Sequence, residues 1–280
     1  MTATMTAPMT APMTAPMSRT RGHLLIDRDD FQIRLANESW REKSNMLVER
    51  MYSWRGYKVG AGGSSTQPQS MTVQACSGDQ VFGTLNVGID SPAGLACDAL
   101  YKAEIDAFRS QGRVCAEFTR LAIEPEAGSK ELLAALFHVA YLFATTAGRA
   151  TDLFMEVNPR HVAFYKRMLN FSPAGECKTC PRVDAPAVLL HLDVEHARQQ
   201  VALYGGHRGG AKRSLYPYFC SPDEDAVLRR RVRDLEIEDR PPAFSLARDR
   251  RSTWGGANSA SRNAILAPAA RFMALSEACA

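Results

Sequence analysis

Hydrophobic and polar positions in the middle of the chain repeat with two different periods. Alternating or short apolar runs, typical of β-strands, occupy residues 31–35, 71–76, 81–89, 113–123, 152–157 and 187–193. Helical spacing occupies residues 37–57, part of 91–112, 129–147 and 159–169. The first strands are adjacent in sequence, whereas the later ones alternate with helices. This order predicts an α+β (mixed α/β) fold, with a central mixed sheet and helices on both faces.

Composition changes at both ends of this patterned region. Residues 1–22 repeat Met-Thr-Ala-Pro, and proline at every fourth position is incompatible with a helix or a strand ladder, which predicts a disordered tail. A catalytic core is predicted over residues 23–200. Residues 201–240 form a predicted C-terminal helical extension, and residues 241–280, rich in Arg, Ser, Ala and Pro, a second disordered tail.

Bulk composition indicates a globular protein. The 280 residues are 45% hydrophobic and 23% charged, and the net charge of +4 is too small to indicate nucleic-acid binding. No apolar run approaches the roughly 20 residues of a membrane span, and the start lacks the apolar core of a secretory signal. We therefore expect a cytoplasmic protein. The charged helix predicted at 221–236 has a narrow apolar seam, so at most weak membrane association is expected.

Seven cysteines are an odd number, which argues against a disulfide framework in so long a chain. Cys177 and Cys180 form the one tight pair. A zinc site would need a second pair or histidines at ligand spacing, and His191 lies inside a strand pattern. We expect two reduced thiols in a turn and no metal.

A corner in the chain carries the clearest chemical signal. In MEVNPRHVAFYKRMLNF (155–171), Asn158 is a good helix N-cap and Pro159 suits the first helical turn. A capped helix with Phe164 packed inward would explain this much. The helix start nevertheless carries more polar side chains than a cap requires, and it points backbone donors and positive potential at a ligand: Arg160, His161, Tyr165 and Lys166.

The strand–helix–strand–helix order over residues 113–169 resembles the fold of the GCN5-related N-acetyltransferases. In that superfamily the donor's thioester arm lies where two neighbouring parallel strands splay, which here would be strands 113–123 and 152–157. A tyrosine on the helix after the second strand often faces the leaving thiolate. Tyr165 is the matching position.

Three segments are similar to a narrower family, the long-chain N-acyl amino acid synthases: EFTRLAI (117–123), MEVNPRHVAFYKRMLNF (155–171) and CPRVDAPAVLLHLDV (180–194). These bacterial enzymes are related to acyl-homoserine lactone synthases. The resemblance spans roughly residues 30–235 and is most specific at VNPRHVAFY. It implies acyl carrier protein as partner and donor, an amino acid as acceptor, and no metal or redox cofactor.

One departure from the superfamily favours the narrower family. Enzymes that use coenzyme A carry a glycine-rich loop whose amides hold the pyrophosphate. Here the loop is Glu124-Pro-Glu-Ala-Gly-Ser129, with one glycine and two carboxylates. A carrier protein presents its pantetheine arm without the pyrophosphate, although simple degeneration of the loop would look the same. The segment 60–70 lacks the acidic residues expected near an amine acceptor, which leaves the acceptor open.

The resemblance assigns catalytic roles to Glu117 as proton acceptor and Tyr165 as proton donor. Arg120, Asn158, Arg160 and Phe164 are the candidate substrate-binding residues. Residues three apart on a regular strand face opposite sides, so Glu117 and Arg120 can share a site only across a bulge or at a splayed end. Otherwise they are a structural salt bridge and a solvated charge, and Tyr165 is a half-buried helix residue.

The expected function is transfer of a long-chain fatty acyl group from acyl carrier protein to the amine of an amino acid. One alternative is a coenzyme A-dependent N-acyltransferase acting on a small amine. Another is a non-catalytic module that binds an acyl ligand or a carrier protein. The arginines at 229–231 and 233 could dock an acidic carrier protein, although a charge run is more often a solvated helix face.

Overall fold

The computed structural model describes residues 23–58, 70–181, 183–208 and 213–238. The predicted tails 1–22 and 241–280 and the loop 60–69 lie outside these residues. Along the chain the elements are β1 (His23–Asp27), β2 (Gln32–Leu35), α1 (Glu38–Ser53), β3 (Ser70–Ser77), β4 (Gln80–Ile89), α2 (Asp98–Arg109), β5 (Cys115–Ile123), α3 (Lys130–Thr146), β6 (Asp152–Val157), α4 (Val162–Leu169), β7 (Ser172–Pro173), β8 (Lys178–Cys180), β9 (Ala185–Asp193), α5 (Val194–Tyr204) and α6 (Pro222–Glu238).

The strands form a mixed sheet in the order β1-β2-β3-β4-β5-β6-β9-β7, with β8 also paired to β9. The β5–β6 pair is parallel, because α3 crosses over between these strands, and the other pairs are antiparallel. The predicted hairpin is β3–β4, which turns at Gly78 with a positive φ of 55°. The predicted mixed α/β class is confirmed.

Helices cover both faces of the sheet, as strand β5 shows. Cys115 packs in a cluster with Tyr101 and Ile105 of α2, whereas the alternate residues Ala116 and Phe118 belong to the cluster that contains α3. Helix α1 lies on the α2 face, where its apolar side packs against β3, β4, β5 and the β8–β9 region. The two faces therefore offer different environments to anything bound between β5 and β6.

Helix α3 is buried over most of its surface, as its apolar composition predicts, and it begins where expected. The Ser129 side chain accepts the Leu132 amide at 3.1 Å as the N-cap. Asn37 caps α1 in the same way, accepting from Trp40. Helix α1 ends at Ser53, before the predicted end at residue 57. Trp54 therefore lies outside the helix, and its side chain is exposed.

Sequence patterning missed β1, α5 and the short strands β7 and β8. Strand β1 has five residues, too few for a clear period. On α5, Ala197 and Val201 are the buried residues, so its apolar stripe is too narrow to stand out from a loop. These elements depend on contacts that their own residues do not encode locally.

The C-terminal extension is joined to α3 by a buried polar contact. His138 of α3 accepts the Cys220 amide through Nδ1 at 2.9 Å, so its Nε2 carries the proton and donates to Asp225 of α6 at 2.8 Å. Leu228 and Val232 bury the predicted seam of α6. No helix among the described residues is long and apolar enough to cross a membrane.

An ionic network holds the starts of β5 and β6 together. Arg113 donates to both oxygens of buried Asp152, at 2.5 and 2.8 Å. His191 of β9 lies 2.7 Å from the same carboxylate, and Thr151 donates to it at 2.6 Å. Arg113 also reaches Asp193 at 2.8 Å. The network lies at the end of the strands where they are still paired.

We expect Asp152→Asn to lower the free energy of unfolding by about 2–3 kcal/mol at pH 7, because Arg113 loses a largely buried anionic partner. Asp193→Asn is the matched control: this carboxylate is 41% exposed, and asparagine still caps α5, so the loss should stay below about 1 kcal/mol. Urea denaturation measures both variants, and equal losses would contradict the assigned role of Asp152.

The same variant should change the response to acid. Burial opposes ionisation of Asp152, yet hydrogen bonds from His191 and Arg113 hold its pKa well below the ordinary value. A carboxylate whose pKa is lower in the folded state stabilises the protein at pH values above its unfolded-state pKa of about 3.9. This contribution to stability is lost as the pH falls below that value. Asp152→Asn should therefore show a flatter loss of stability between about pH 5 and pH 2.

Candidate active site

Strands β5 and β6 diverge after a short paired stretch. Their parallel register covers Cys115–Glu117 against Asp152–Phe154. Beyond it, residues 118–123 remain paired with β4 and residues 155–157 with β9, so the two strands separate. Backbone amides of β5 that face β6 have no ladder partner there, which makes the gap a place where an extended ligand can bind.

A bulge in β5 brings Arg120 into the site. The register with β4 shifts by one residue between Asn86↔Thr119 and Thr84↔Ala122, and Arg120 has a φ of 57°, in the left-handed region. Its side chain is buried and donates to the side chain of Asn45 on α1. Burial lowers the pKa of Arg120. This is the bulge that the spacing of Glu117 and Arg120 requires.

Glu117 lies at the last paired position of β5, on the face covered by α1 and α2. Its side chain is 1% exposed, and its two oxygens accept the amides of Ala96 and Cys97 at 2.6 and 3.0 Å. Glu117 therefore holds the loop that precedes α2, in addition to any role in chemistry.

Tyr165 of α4 is completely buried, and its hydroxyl is without a hydrogen-bond partner among the described residues. The ring lies 6.3 Å from Phe137 of α3, which lies 5.8 Å from Phe118, the first residue of β5 beyond the paired stretch. Burial raises the pKa of Tyr165 above its ordinary value, so the phenol is protonated at neutral pH. The hydroxyl can donate a hydrogen bond, but no acceptor bonds to it among the described residues.

Tyr52 of α1 is a second buried phenol whose hydroxyl is without a hydrogen-bond partner in the described part of the chain. Burial raises its pKa well above the ordinary value, while the nearby Arg120 charge opposes this rise and Tyr165 adds to it. Sequence reasoning missed Tyr52 because a tyrosine on an apolar helix face is normally a core residue. Its position seven residues after Asn45, on the same helix face, is the available signal.

The corner after β6 contains the other predicted residues. Asn158 accepts the Arg160 amide at 3.2 Å, and a 3₁₀ turn, Pro159–His161, precedes α4. Phe164 is buried with its ring 5.2 Å from that of Tyr165.

His161, one of the polar residues at this helix start, is buried. Burial, followed by the charges of Arg160 and Arg55, lowers its pKa to about 4. The ring is therefore neutral at pH 7. It accepts a hydrogen bond from Arg160, whose Nε lies 3.2 Å from the His161 Nε2.

Glu156 of β6 is a functional candidate that the sequence did not single out. It lies two residues after Phe154, the partner of Glu117, so both glutamates face the α1 and α2 side. Burial is the main cause that raises the pKa of the Cys97 thiol, and the charges of Glu117 and Glu156 raise it further. Both carboxylates therefore lie near this thiol. A charged residue inside the apolar run FMEV, directly before the corner, is the signal that could have identified it.

The loop before α3 is closed on itself. Residues Pro125–Ala127 form a 3₁₀ turn, in which the amides of Ala127 and Gly128 donate to the carbonyls of Glu124 and Pro125 at 3.1 and 3.4 Å. The Glu124 amide donates to Phe82, and its carboxylate pairs with Arg50. These amides are not directed at a ligand.

A small apolar cavity adjoins the gap on the α3 face, with room for about one water molecule. Its lining joins the sheet, α3 and α5 to the segment before α6, and comprises Phe118, Phe137, Tyr141, Leu153, Leu169, Phe171, Leu192, Ala197, Tyr216 and Phe219. Phe118 and Phe137 are the phenylalanines that β5 and α3 contribute to this lining. Phe154 lies in the cluster on the opposite face.

Among the described residues, no group of three or more His, Cys, Asp or Glu side chains could hold a metal ion. Cys177 is exposed and Cys180 buried, and neither forms a disulfide.

A family model described as N-acyl amino acid synthase FeeM matches residues 43–193, more than half of the chain. The chain belongs to this family. The synthase is therefore an acyltransferase, and the predicted family and fold class are both confirmed. The matched range includes all six predicted site residues but ends before Ala197, Tyr216 and Phe219 of the apolar cavity.

Comparison with solved structures gives the same family. The structure of FeeM, an N-acyl amino acid synthase from uncultured soil microbes, is 27% identical and has a TM-score of 0.55, covering 60% of this chain and 97% of that chain. An N-acetyltransferase from Staphylococcus aureus Mu50 is 10% identical, with a TM-score of 0.42 over 59% of this chain and 98% of its own. The ribosomal-protein-S5-alanine acetyltransferase from Vibrio fischeri is also 10% identical, with a TM-score of 0.44 over 61% and 96%. No curated protein matches the synthase.

We expect Tyr165→Phe to separate stability from catalysis. Because the buried hydroxyl makes no hydrogen bond within the described fold, its removal should not lower the free energy of unfolding and should raise it by up to about 1–3 kcal/mol. Loss of the proton donor should lower kcat about 100-fold or more. Urea denaturation and steady-state acyl transfer provide the two measurements.

Tyr101→Phe is the matched control for this prediction. The Tyr101 hydroxyl donates to the carbonyls of Ala187 and Glu176 at 2.7 and 3.0 Å, so its loss should cost about 1–2 kcal/mol of stability while kcat is retained. A Tyr165→Phe enzyme with wild-type kcat would contradict the assignment of Tyr165 as the proton donor.

Proposed function

We propose that this synthase transfers a long-chain fatty acyl group from acyl carrier protein to the amine of an amino acid. The products are an N-acyl amino acid and the free carrier thiol. The proposal is carried by the gap between β5 and β6 together with a fully buried tyrosine hydroxyl on the α3 face, which has no hydrogen-bond partner among the described residues. The β5 amides that face the gap would polarise the thioester carbonyl.

The proposed reaction begins with attack of the acceptor amine on the thioester carbon. The new C–N bond forms as the C–S bond breaks, and the departing sulfur takes a proton from Tyr165. A phenol whose pKa is raised stays protonated before the step, and solvent restores its proton afterwards. The amine must also lose a proton to a base.

Glu117, directly or through one water, is the proposed base, because it lies where the strands begin to separate on the α1 and α2 face. Glu156 faces the same side and is the second carboxylate within reach. Arg120, held by Asn45 at the bulge, would orient Glu117 or bind the acceptor's carboxylate. Asn158, Arg160 and Phe164 would shape the same end of the gap.

The closed loop before α3 supports a carrier protein as donor. Three of its amides are used inside the fold, and Glu124 and Glu126 place carboxylates where a pyrophosphate would need positive charge. A pantetheine arm attached to a protein has one phosphate at its far end and no nucleotide, so it does not require this cradle. A coenzyme A thioester does.

The apolar cavity supports a long acyl chain. Phe118 connects it to the gap, and its lining is hydrophobic throughout. Because the cavity is small, α3, α5 and the segment before α6 would have to separate as the chain enters. An acyl chain buried there gains about 0.8 kcal/mol for each CH₂ removed from water, which offsets such a rearrangement.

The test is mass spectrometry of lipid extracts from a bacterial host that expresses the chain, beside a host that expresses Glu117→Gln. New N-acyl amino acids should appear with the wild type and be lost with the variant, and the masses identify head group and chain length. Circular dichroism confirms that the variant is folded. Absence of new lipids from a folded wild-type protein would contradict the proposal.

Purified enzyme distinguishes the donors. We expect kcat/KM to be at least about 100-fold higher with acyl carrier protein than with coenzyme A carrying the same acyl group, because three amides of the loop 124–129 already donate within the fold and its two carboxylates would repel a pyrophosphate. Equal values would favour a coenzyme A-dependent enzyme. Carrier binding without turnover would favour the non-catalytic module.

Ala197→Leu should shorten the preferred acyl chain by about two to four carbons. This alanine of α5 is buried in the cavity lining, and three added carbon atoms would fill space that the end of the chain needs. Ala202→Leu, on the exposed side of the same helix, is the matched control and should leave the preference unchanged. Steady-state rates with C8 to C18 acyl donors measure the shift, and unchanged preference in Ala197→Leu would contradict the placement of the chain.

A further inference from the structure

Two arginines without a carboxylate partner among the described residues lie near each other between the end of α1 and the corner after β6. Arg160 donates to the Tyr57 hydroxyl at 3.0 Å and to His161 at 3.2 Å. Arg55 donates to the Met51 carbonyl at 3.1 Å and is partly buried. Burial is the main cause that lowers the pKa of Arg55, and the charge of Arg160 is the second. The two guanidinium groups are therefore close enough to repel each other.

Arg160 is exposed and Arg55 is half-buried. Three half-buried arginines elsewhere in the described fold do have a carboxylate partner. Arg109, Arg113 and Arg229 each form an ion pair with at least one aspartate. Asp184 is already paired with Lys58. Glu156, four residues before Arg160, is buried within β6. The connecting segment 59–69 contains no Asp or Glu.

The two arginines are held in place by neutral groups. Tyr57 is buried and lies 6.0 Å, ring to ring, from Tyr52, which carries one of the two unpartnered phenols. His161, neutral at pH 7, accepts from Arg160 and adds no further positive charge. Arg160 uses two of its five N–H donors in these contacts, and the other three have no partner among the described residues. Two fixed like charges with spare donors form an anion site.

Position selects which anion the site would take. Tyr57 belongs to the cluster formed by α1 and the β8–β9 region, on the face that also carries Glu117. The loop 124–129, at the phosphate end of a donor in the superfamily fold, leads into α3 on the opposite face. An amino acid carries its carboxylate one carbon from the amine, so an amine directed at Glu117 brings its carboxylate to this side.

We infer that Arg55 and Arg160 form the carboxylate-binding site for the amino acid acceptor, so that they select amino acids over simple amines. The inference rests on the proposed function and deepens it. Arg160 was expected to bind substrate without an assigned ligand, whereas Arg55 was not among the expected site residues. Two planar guanidinium groups suit a carboxylate, which they can bind through parallel hydrogen bonds.

The experiment uses the purified full-length chain with its preferred acyl donor. The first step identifies which of the twenty amino acids the wild type acylates best, and the second compares it with its own carboxamide. We expect wild-type kcat/KM to be about 100-fold lower for the carboxamide. Arg55→Gln and Arg160→Gln should each raise KM for the amino acid about 10- to 100-fold, with kcat changed less than about threefold and little effect on the carboxamide.

Lys58→Gln is the matched control, because it removes a positive charge from the same corner that is exposed and already paired with Asp184. It should leave KM for the amino acid within about twofold of the wild type. Thermal unfolding tests whether Arg55 is merely structural: removing one of two repelling charges should not lower Tm.

A donor phosphate is the other anion that could occupy the site, and a second arm tests it with an S-acyl pantetheine that lacks the phosphate. If the arginine variants raise KM for the phosphorylated donor alone, the assignment to the acceptor is wrong. If the wild type acylates the amino acid and both variants keep the wild-type KM for it, the assignment is also wrong. A wild type that acylates no amino acid would instead reject the proposed function, and the inference with it.

Discussion

The site depends on the separation of two parallel strands that are bound together at one end only. The buried Asp152 carboxylate, held by Arg113 and His191, joins the starts of β5 and β6. Three residues later the ladder between them ends, because β5 follows β4 and β6 follows β9. Without the Asp152 network at the paired end of the two strands, the position of the gap at their other end would not be fixed.

The bulge at Arg120 adds a second constraint to the same strand. An extra residue in the left-handed region costs free energy in a non-glycine residue, on the order of 1–2 kcal/mol. It moves a guanidinium group into the site without breaking the pairing of β5 with β4 on either side. Tyr52 and Tyr165 carry a further cost of about 1–3 kcal/mol each, since their buried hydroxyls lack partners in the described fold. Such costs are typical of binding sites, where a ligand supplies the missing contacts.

In the proposed reaction, the two faces of the sheet would hold different substrates. The α3 face offers an apolar cavity closed by α5 and the segment before α6, and the opposite face offers carboxylates and arginines. An acyl chain and an amino acid head group differ in polarity in the same way. The C-terminal extension, held to α3 by His138 and Asp225, completes the apolar half although it lies beyond the range that matches the family.

The sequence by itself determined the fold class, most of the helices and strands, and the identity of the family. It also determined the N-caps of α1 and α3, Asn37 and Ser129. All of these depend on local periodicity and short motifs. It also located the corner with Tyr165 and showed that Glu117 and Arg120 would need a bulge. The tertiary structure decided what each of these residues touches: Glu117 anchors a loop, His161 is buried, and Phe154 faces away from the cavity. Tyr52 and Arg55 come near the predicted site residues only because α1 packs over β4 and β5, which brings together residues far apart in the chain. No local pattern encodes that packing, since burial and distance are properties of the assembled sheet.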